Sequence, residues 1–175
     1  MNITTMISTR LRLEPLTHAH SQGMFELWSE PEVCRYAGSA SDLNGNEVQL
    51  PAVSTADSDA IIEFFLHHQS LGNGCRWAVI RDDEEFLGIV GFNSLGVEAE
   101  IAYHLHPNFW GAGFMSEACR QVIDWLQSSQ DSHRLLAFIE LDNLPSRRLA
   151  ERLGFTECQE DRDGAIRYER CLVGN

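Results

Sequence analysis

The residues with the clearest chemical potential sit between Glu100 and Gly154. Tyr103-His104-Leu105-His106-Pro107-Asn108-Phe109-Trp110-Gly111-Ala112-Gly113-Phe114-Met115 ends a strand at a proline and opens a helix through two glycines. Gly111 and Gly113 can turn successive backbone N–H groups toward one point at a positive helix end, an anion site that needs no cationic side chain. The same glycines equally suit a bare strand-to-helix turn. A second such turn, Asn143-Leu144-Pro145-Ser146-Arg147-Arg148, carries two polar side chains that either face a shared crevice or cap the helix. Glu100 lies on the strand leading into the glycine turn, two residues from Glu98 and on the same face. A carboxylate there can attract an ammonium group or take its proton, or simply be a solvated charge.

Composition removes several chemistries. All 13 basic residues are arginine, which excludes Schiff-base and pyridoxal lysines and a Walker-type phosphate loop. The cysteines (Cys34, Cys75, Cys119, Cys158, Cys171) include no C-x-x-C pair, and the histidines include no H-E-x-x-H. Buried thiols in a reducing cytoplasm are therefore expected, with no metal. With 26 acidic residues the net charge is -13, the wrong sign for nucleic acid or an anionic membrane surface. Apolar runs fall far short of the roughly 20 residues that span a bilayer. Met1 to Arg10 is polar, without the apolar stretch of a secretory signal.

These residues need elements to position them. Arg10 to Leu16 alternates as a half-buried strand, and Thr17 caps a helix running to Trp28 with Met24, Leu27 and Trp28 inward. Residues 39–58, rich in Ser, Ala, Asn and Gly, read as a long loop; a helix over 57–70 follows. Arg76–Arg81, Phe86–Asn93 and Glu98–His106 form an antiparallel meander. Met115, Ala118, Cys119, Val122, Ile123 and Leu126 recur at helical spacing, and Leu135–Ile139 is a strand buried on both faces. Strand, helix, strand implies a right-handed crossover and one parallel pair within an otherwise antiparallel sheet. A helix from Pro145 to Leu153 stops at Gly154, and Phe155–Gln159 with Ile166–Val173 forms a hairpin over Asp163-Gly164. The expectation is one α+β domain over 1–175, with about seven strands and four helices.

The string from Glu100 to Met115, followed by N-x-x-S-R-R-x-x-x-x-x-G-F from Asn143 to Phe155, resembles the GCN5-related N-acetyltransferases (GNAT), in the branch of ribosomal-protein N-terminal acetyltransferases. The resemblance extends from Arg10 to near the C-terminus. It implies that the third meander strand and the following parallel strand splay apart, with acetyl-CoA as co-substrate in the opening. It assigns the pantetheine arm to backbone at His104, Leu105 and His106, and to Asn143. It assigns the pyrophosphate to amides of Trp110, Gly111, Ala112, Gly113, Phe114 and Met115. Glu100 would handle the amine proton, and the Leu105 N–H would serve the oxyanion. The tyrosine that many relatives use to protonate the thiolate is replaced here by Ala150, leaving Ser146 as the substitute. Arg147 and Arg148 are candidates for the nucleotide 3′-phosphate.

The expected reaction is direct transfer of acetyl from acetyl-CoA to a primary amine in a ternary complex. From Tyr36 to Cys75 the acids Asp42, Glu47, Asp57, Asp59 and Glu63 occur without one base. That segment lies where the family builds its acceptor side, which favours a cationic peptide or protein N-terminus. A small-molecule acceptor (polyamine, amino acid or antibiotic) and a non-catalytic acyl-CoA-binding module are the alternatives. Monomer and homodimer remain equally open.

Overall fold

The computed structural model describes residues 3–129, 132–162 and 164–172. An eight-stranded sheet in the order β1-β2-β5-β6-β7-β8-β10-β9 runs through the chain. Its strands are β1 (Met6–Ile7), β2 (Leu11–Pro15), β5 (Cys75–Arg81), β6 (Phe86–Ser94), β7 (Glu98–Leu105), β8 (Arg134–Glu140), β9 (Thr156–Arg162) and β10 (Ala165–Cys171). Every pairing in it is antiparallel except β7 with β8. The crossover between those two strands is the helix α4 (Phe114–Ser129).

Strand alternation gives the sheet two apolar faces. Trp77, Val79, Val90 and Ile101 pack with Ala118, Val122 and Leu126 of α4 and with Leu149 and Ala150 of α5 (Leu144–Arg152). Ala78, Ile80 and Ile89 face the other way, onto Met24, Leu27 and Trp28 of α1 (Ser21–Trp28) and Ile61 and Ile62 of α3 (Thr55–Ser70). A four-residue helix α2 (Pro31–Cys34) links the α1 side to the cleft described below.

Several expectations need correction. The sheet has one strand more than expected, because Met6 and Ile7 pair with Leu13 and Arg12. Thr17 caps a 3-10 turn over His18–His20, and the α-helix starts only at Ser21. The 39–58 segment is not one loop. It folds as a small hairpin, β3 (Ala40–Ser41) with β4 (Glu47–Val48). Asp42 holds the hairpin turn by accepting from the Asn44 and Asn46 amides at 2.8 and 2.9 Å. Helix α3 begins two residues earlier than expected because Ser54 and Asp57 form a reciprocal capping box. In the C-terminal hairpin, Asp163 and Val173 lie outside the described residues.

Candidate active site

The cleft originates in a pairing that stops. Strands β7 and β8 are in register only over Glu98 with Arg134, Ala99 with Leu135 and Glu100 with Leu136. Beyond Glu100 they diverge. A cleft of about 570 Å³ lies there, walled by Glu100 to His104 on one side and Ala137 to Glu140, Asn143 and Ser146 on the other. The His106 N–H donates to the Leu87 carbonyl at 2.8 Å. Antiparallel alternation then directs the backbone groups of His104 and His106 toward β6, and those of Tyr103 and Leu105 toward the opening. Of the three residues expected to offer backbone to the pantetheine arm, His104 and His106 turn theirs toward β6 and Leu105 turns its own toward the opening, as does Tyr103. The Leu105 carbonyl already accepts the Trp110 indole N–H at 2.7 Å.

Glu100 stands where the strands part. The Asn93 side-chain amide, at a bulge in the β6–β7 register, donates to Glu100 Oε1 at 2.6 Å. The Asn93 carbonyl oxygen in turn accepts from the Arg76 guanidinium, which fixes the amide orientation because arginine can only donate. Arg76 is 3% exposed, donates also to the Cys75 carbonyl at 3.0 Å and lies 4.5 Å over the Phe65 ring. Burial pushes its pKa down to about 10 against the opposing pull of Cys75 and Glu100. Neither Arg76 nor Asn93 emerged from the motifs; the available signal was a lone charge inside the apolar run Cys75 to Ile80. Glu98, the competitor of Glu100, turns to Arg134 at 3.0 Å and does not line the cleft.

His104 packs on Trp28 with ring centroids 4.7 Å apart. Burial, and secondarily the charge of Arg76, pushes its pKa down to about 3, so the imidazole is neutral at physiological pH. The side chain of His106 is occupied elsewhere: Nδ1 accepts from the Asn108 amide at 3.3 Å, and Nε2 lies 3.5 Å from Glu30.

The glycine turn has the expected backbone form, with φ of 77° at Gly111 and 81° at Gly113. Helix α4 begins at Phe114, and its first-turn amides have no intrahelical acceptor. The Trp110 amide is already engaged, since it donates to the Pro107 carbonyl at 3.1 Å. Met115 is buried in the core and leaves the turn uncrowded. Arg10, 107 residues before Glu117, clamps the turn. It donates to the Ala112 carbonyl at 3.0 Å and to Glu117 at 2.8 Å, and it lies 4.4 Å over the Phe114 ring.

At the far wall, Asn143 Oδ1 accepts the Ser146 N–H at 3.3 Å, so this asparagine caps α5 while lining the cleft. The Tyr103 hydroxyl reaches the Ser146 carbonyl at 3.4 Å, and burial holds its pKa above the ordinary tyrosine value. Ala150 is packed in the core. Arg147 is turned away: it binds the Tyr168 hydroxyl at 2.9 Å, Glu157 at 3.0 Å and the Leu141 carbonyl at 3.2 Å. Burial also raises the pKa of Cys119 well above the thiol range, consistent with a packing role.

The outer end of the cleft is aromatic. Trp28, Tyr36, Ile61, Phe64 and Phe65 line it, with residues 37–41. None of Asp42, Glu47, Asp57, Asp59 or Glu63 does, which corrects the expectation of an acidic acceptor wall. Asp57 caps α3 and Asp59 accepts from Ser21 at 2.5 Å. Arg35 spans from α2 to Asp142 at 2.9 Å. Among the described residues no group of three or more His, Cys, Asp or Glu is placed to hold a metal ion, and no helix is long and apolar enough to cross a membrane.

Comparison with known proteins gives the same picture. Residues 10–156 match the family described as "Acetyltransferase (GNAT) domain". The chain is 29% identical over 171 residues to the uncharacterized N-acetyltransferase p20 of Bacillus licheniformis, covering 95% of this chain and 88% of that protein. It is 32% identical over 150 residues to the uncharacterized N-acetyltransferase YoaA of Bacillus subtilis (strain 168), covering 83% and 79%. A solved structure of RimL, a ribosomal L7/L12 alpha-N-protein acetyltransferase in complex with coenzyme A, superposes with a TM-score of 0.79 at 20% identity, covering 97% of this chain and 98% of that one.

Proposed function

This chain belongs to the GNAT acetyltransferase family, and we propose that it is an acetyl-CoA-dependent enzyme that acetylates a primary amine by direct attack in a ternary complex. The observation that carries the reading is the loss of β7–β8 pairing immediately after Glu100 and Leu136. It leaves one open strand edge between a carboxylate, a glycine-turned helix end and the Asn143–Ser146 turn. Acetyl-CoA fits those residues. The outward backbone of Tyr103 offers strand-like pairing to the amides of the pantetheine arm, and the amides of Gly111 to Met115 offer donors for its pyrophosphate.

Each step has a residue of this chain to serve it. Glu100, held by Asn93, draws the ammonium form of the acceptor and takes its proton directly or through water. The Leu105 N–H meets negative charge developing on the carbonyl oxygen. Ser146 offers a hydrogen bond to the departing thiolate. A thiol of pKa near the ordinary value of about 8.5 leaves without a stronger acid, so the absence of a tyrosine at Ala150 is compatible with turnover.

The acceptor belongs to this proposal also. The relatives support amine acetylation, and a peptide N-terminus and a small amine both present the group that Glu100 requires. The test is release of free thiol from acetyl-CoA in the presence of an amine panel, comparing the wild type with Glu100→Gln. Acceptor-dependent release that falls at least a hundredfold in the variant supports the reading. Tight CoA binding with no release from any acceptor would identify a non-catalytic binding module instead.

A further inference from the structure

We infer that the acceptor of this enzyme is a monoamine bearing an aromatic or bulky apolar substituent, and not a polycation; the inference rests on the acetyltransferase reading and deepens it. The amine must reach Glu100, and whatever it carries then extends along the cleft toward Trp28, Tyr36, Ile61, Phe64 and Phe65. That wall supplies ring faces and methyl groups and no carboxylate. The ionisable groups lining the cleft at neutral pH are Arg76, Glu100 and Glu140, with His104 neutral.

Aromatic boxes also receive cations, through attraction of positive charge to ring faces. Here two of the four rings are already used. The Arg76 guanidinium lies 4.5 Å over Phe65, and the Arg35 guanidinium lies 5.0 Å over Tyr36. A second ammonium on the acceptor would meet two fixed positive charges at the rings that would otherwise attract it. An apolar substituent meets none, and its burial against Phe64 and Trp28 is favourable at ordinary hydrophobic strength.

The experiment compares phenethylamine, tryptamine, putrescine and spermidine as acceptors, by initial rates of thiol release and by calorimetric binding to the CoA-loaded protein. Wild type and Phe64→Ala are both measured, with a thermal melt as the folding control. Phe64 is half-buried and outside the two core clusters. The expected result is a kcat/KM at least tenfold higher for the arylalkylamines than for the polyamines. Phe64→Ala lowers the arylalkylamine values about tenfold and leaves the KM for acetyl-CoA unchanged, whereas Phe64→Glu narrows the gap in favour of spermidine. Turnover that prefers spermidine, or arylalkylamine rates indifferent to Phe64→Ala, overturns the inference while the acetyltransferase reading stands. Phe64-dependent binding of phenethylamine without any turnover supports the aromatic site and removes the transfer reaction. Neither binding nor turnover removes both.

Discussion

Glu100 is held by neighbours that its own strand does not supply. The Arg76–Asn93–Glu100 chain holds one carboxylate oxygen by a donated amide N–H at 2.6 Å and stops the amide from flipping. Asn93→Asp would replace that donor with an acceptor facing a carboxylate. We expect it to lower kcat/KM for the amine by tenfold or more and to leave the CoA dissociation constant within twofold. At the opposite wall, the proposed mechanism predicts that Ser146→Ala reduces kcat without raising the KM for acetyl-CoA, because the hydroxyl would serve only the departing thiolate. His104 makes a different prediction. Its folded pKa of about 3 lies below the ordinary 6.5, so between those values the unfolded chain binds the extra proton and stability falls as pH is lowered. The slope is up to about 1.4 kcal/mol per pH unit for one such group. Urea midpoints from pH 7 to pH 4 should therefore drop less steeply in His104→Phe than in the wild type.

At the scale of elements, the glycine turn and α4 form one unit with the N-terminal strand. Gly111 and Gly113 adopt left-handed φ, where an L side chain costs about 1–2 kcal/mol. A Cβ at Gly111 would meet nothing within 4 Å, so Gly111→Ala tests backbone conformation alone. It should lower stability by about 1 kcal/mol in denaturant titration and raise the KM for acetyl-CoA several-fold. Arg10 ties the same turn to β2 through the Ala112 carbonyl and Glu117. Its side chain is 43% exposed, and exposed ion pairs contribute only about 0–1 kcal/mol. Arg10→Ala should therefore act more on acetyl-CoA KM than on the melting temperature. Both readouts come from the same purified variants.

Across the whole molecule, the sheet is continuous except beyond Glu100 and Leu136, where β7 and β8 part. Helices α4 and α5 cover one face, α1 and α3 the other, and the parting of β7 from β8 gives the cleft access to both layers. A ligand that fills the parting bridges strands that otherwise share no hydrogen bonds beyond Glu100. CoA at a hundred times its dissociation constant should stabilise the fold by about 2.7 kcal/mol. That corresponds to a rise in melting temperature of roughly 5–10 °C for a domain of this size, measurable by scanning calorimetry. The neighbouring Arg35–Asp142 pair is exposed on both partners and should contribute little to that shift.

Features that depend on nearest neighbours along the chain were legible in the sequence. The apolar period of α4, the alternation in β2, the meander of β5 to β7 and the stop at Gly154 all follow from contacts a few residues apart; β2 and β5 to β7 formed within one residue of their expected bounds, and α4 runs three residues past its last expected apolar position. The glycine turn and the Asn143–Ser146 turn were legible for the same reason. The tertiary structure alone decided what those elements hold. Arg76 meets Asn93 across 17 positions, and Arg10 meets Glu117 across 107. Strand register determines that Leu105 and not His106 faces the opening, since a shift of one residue exchanges the two. The acids between residues 36 and 75 suggested a charged acceptor wall, but capping and turn bonds took Asp57 and Asp42, and rings line the cleft instead. Composition records which charges a segment carries; only the packed fold assigns each of them a direction.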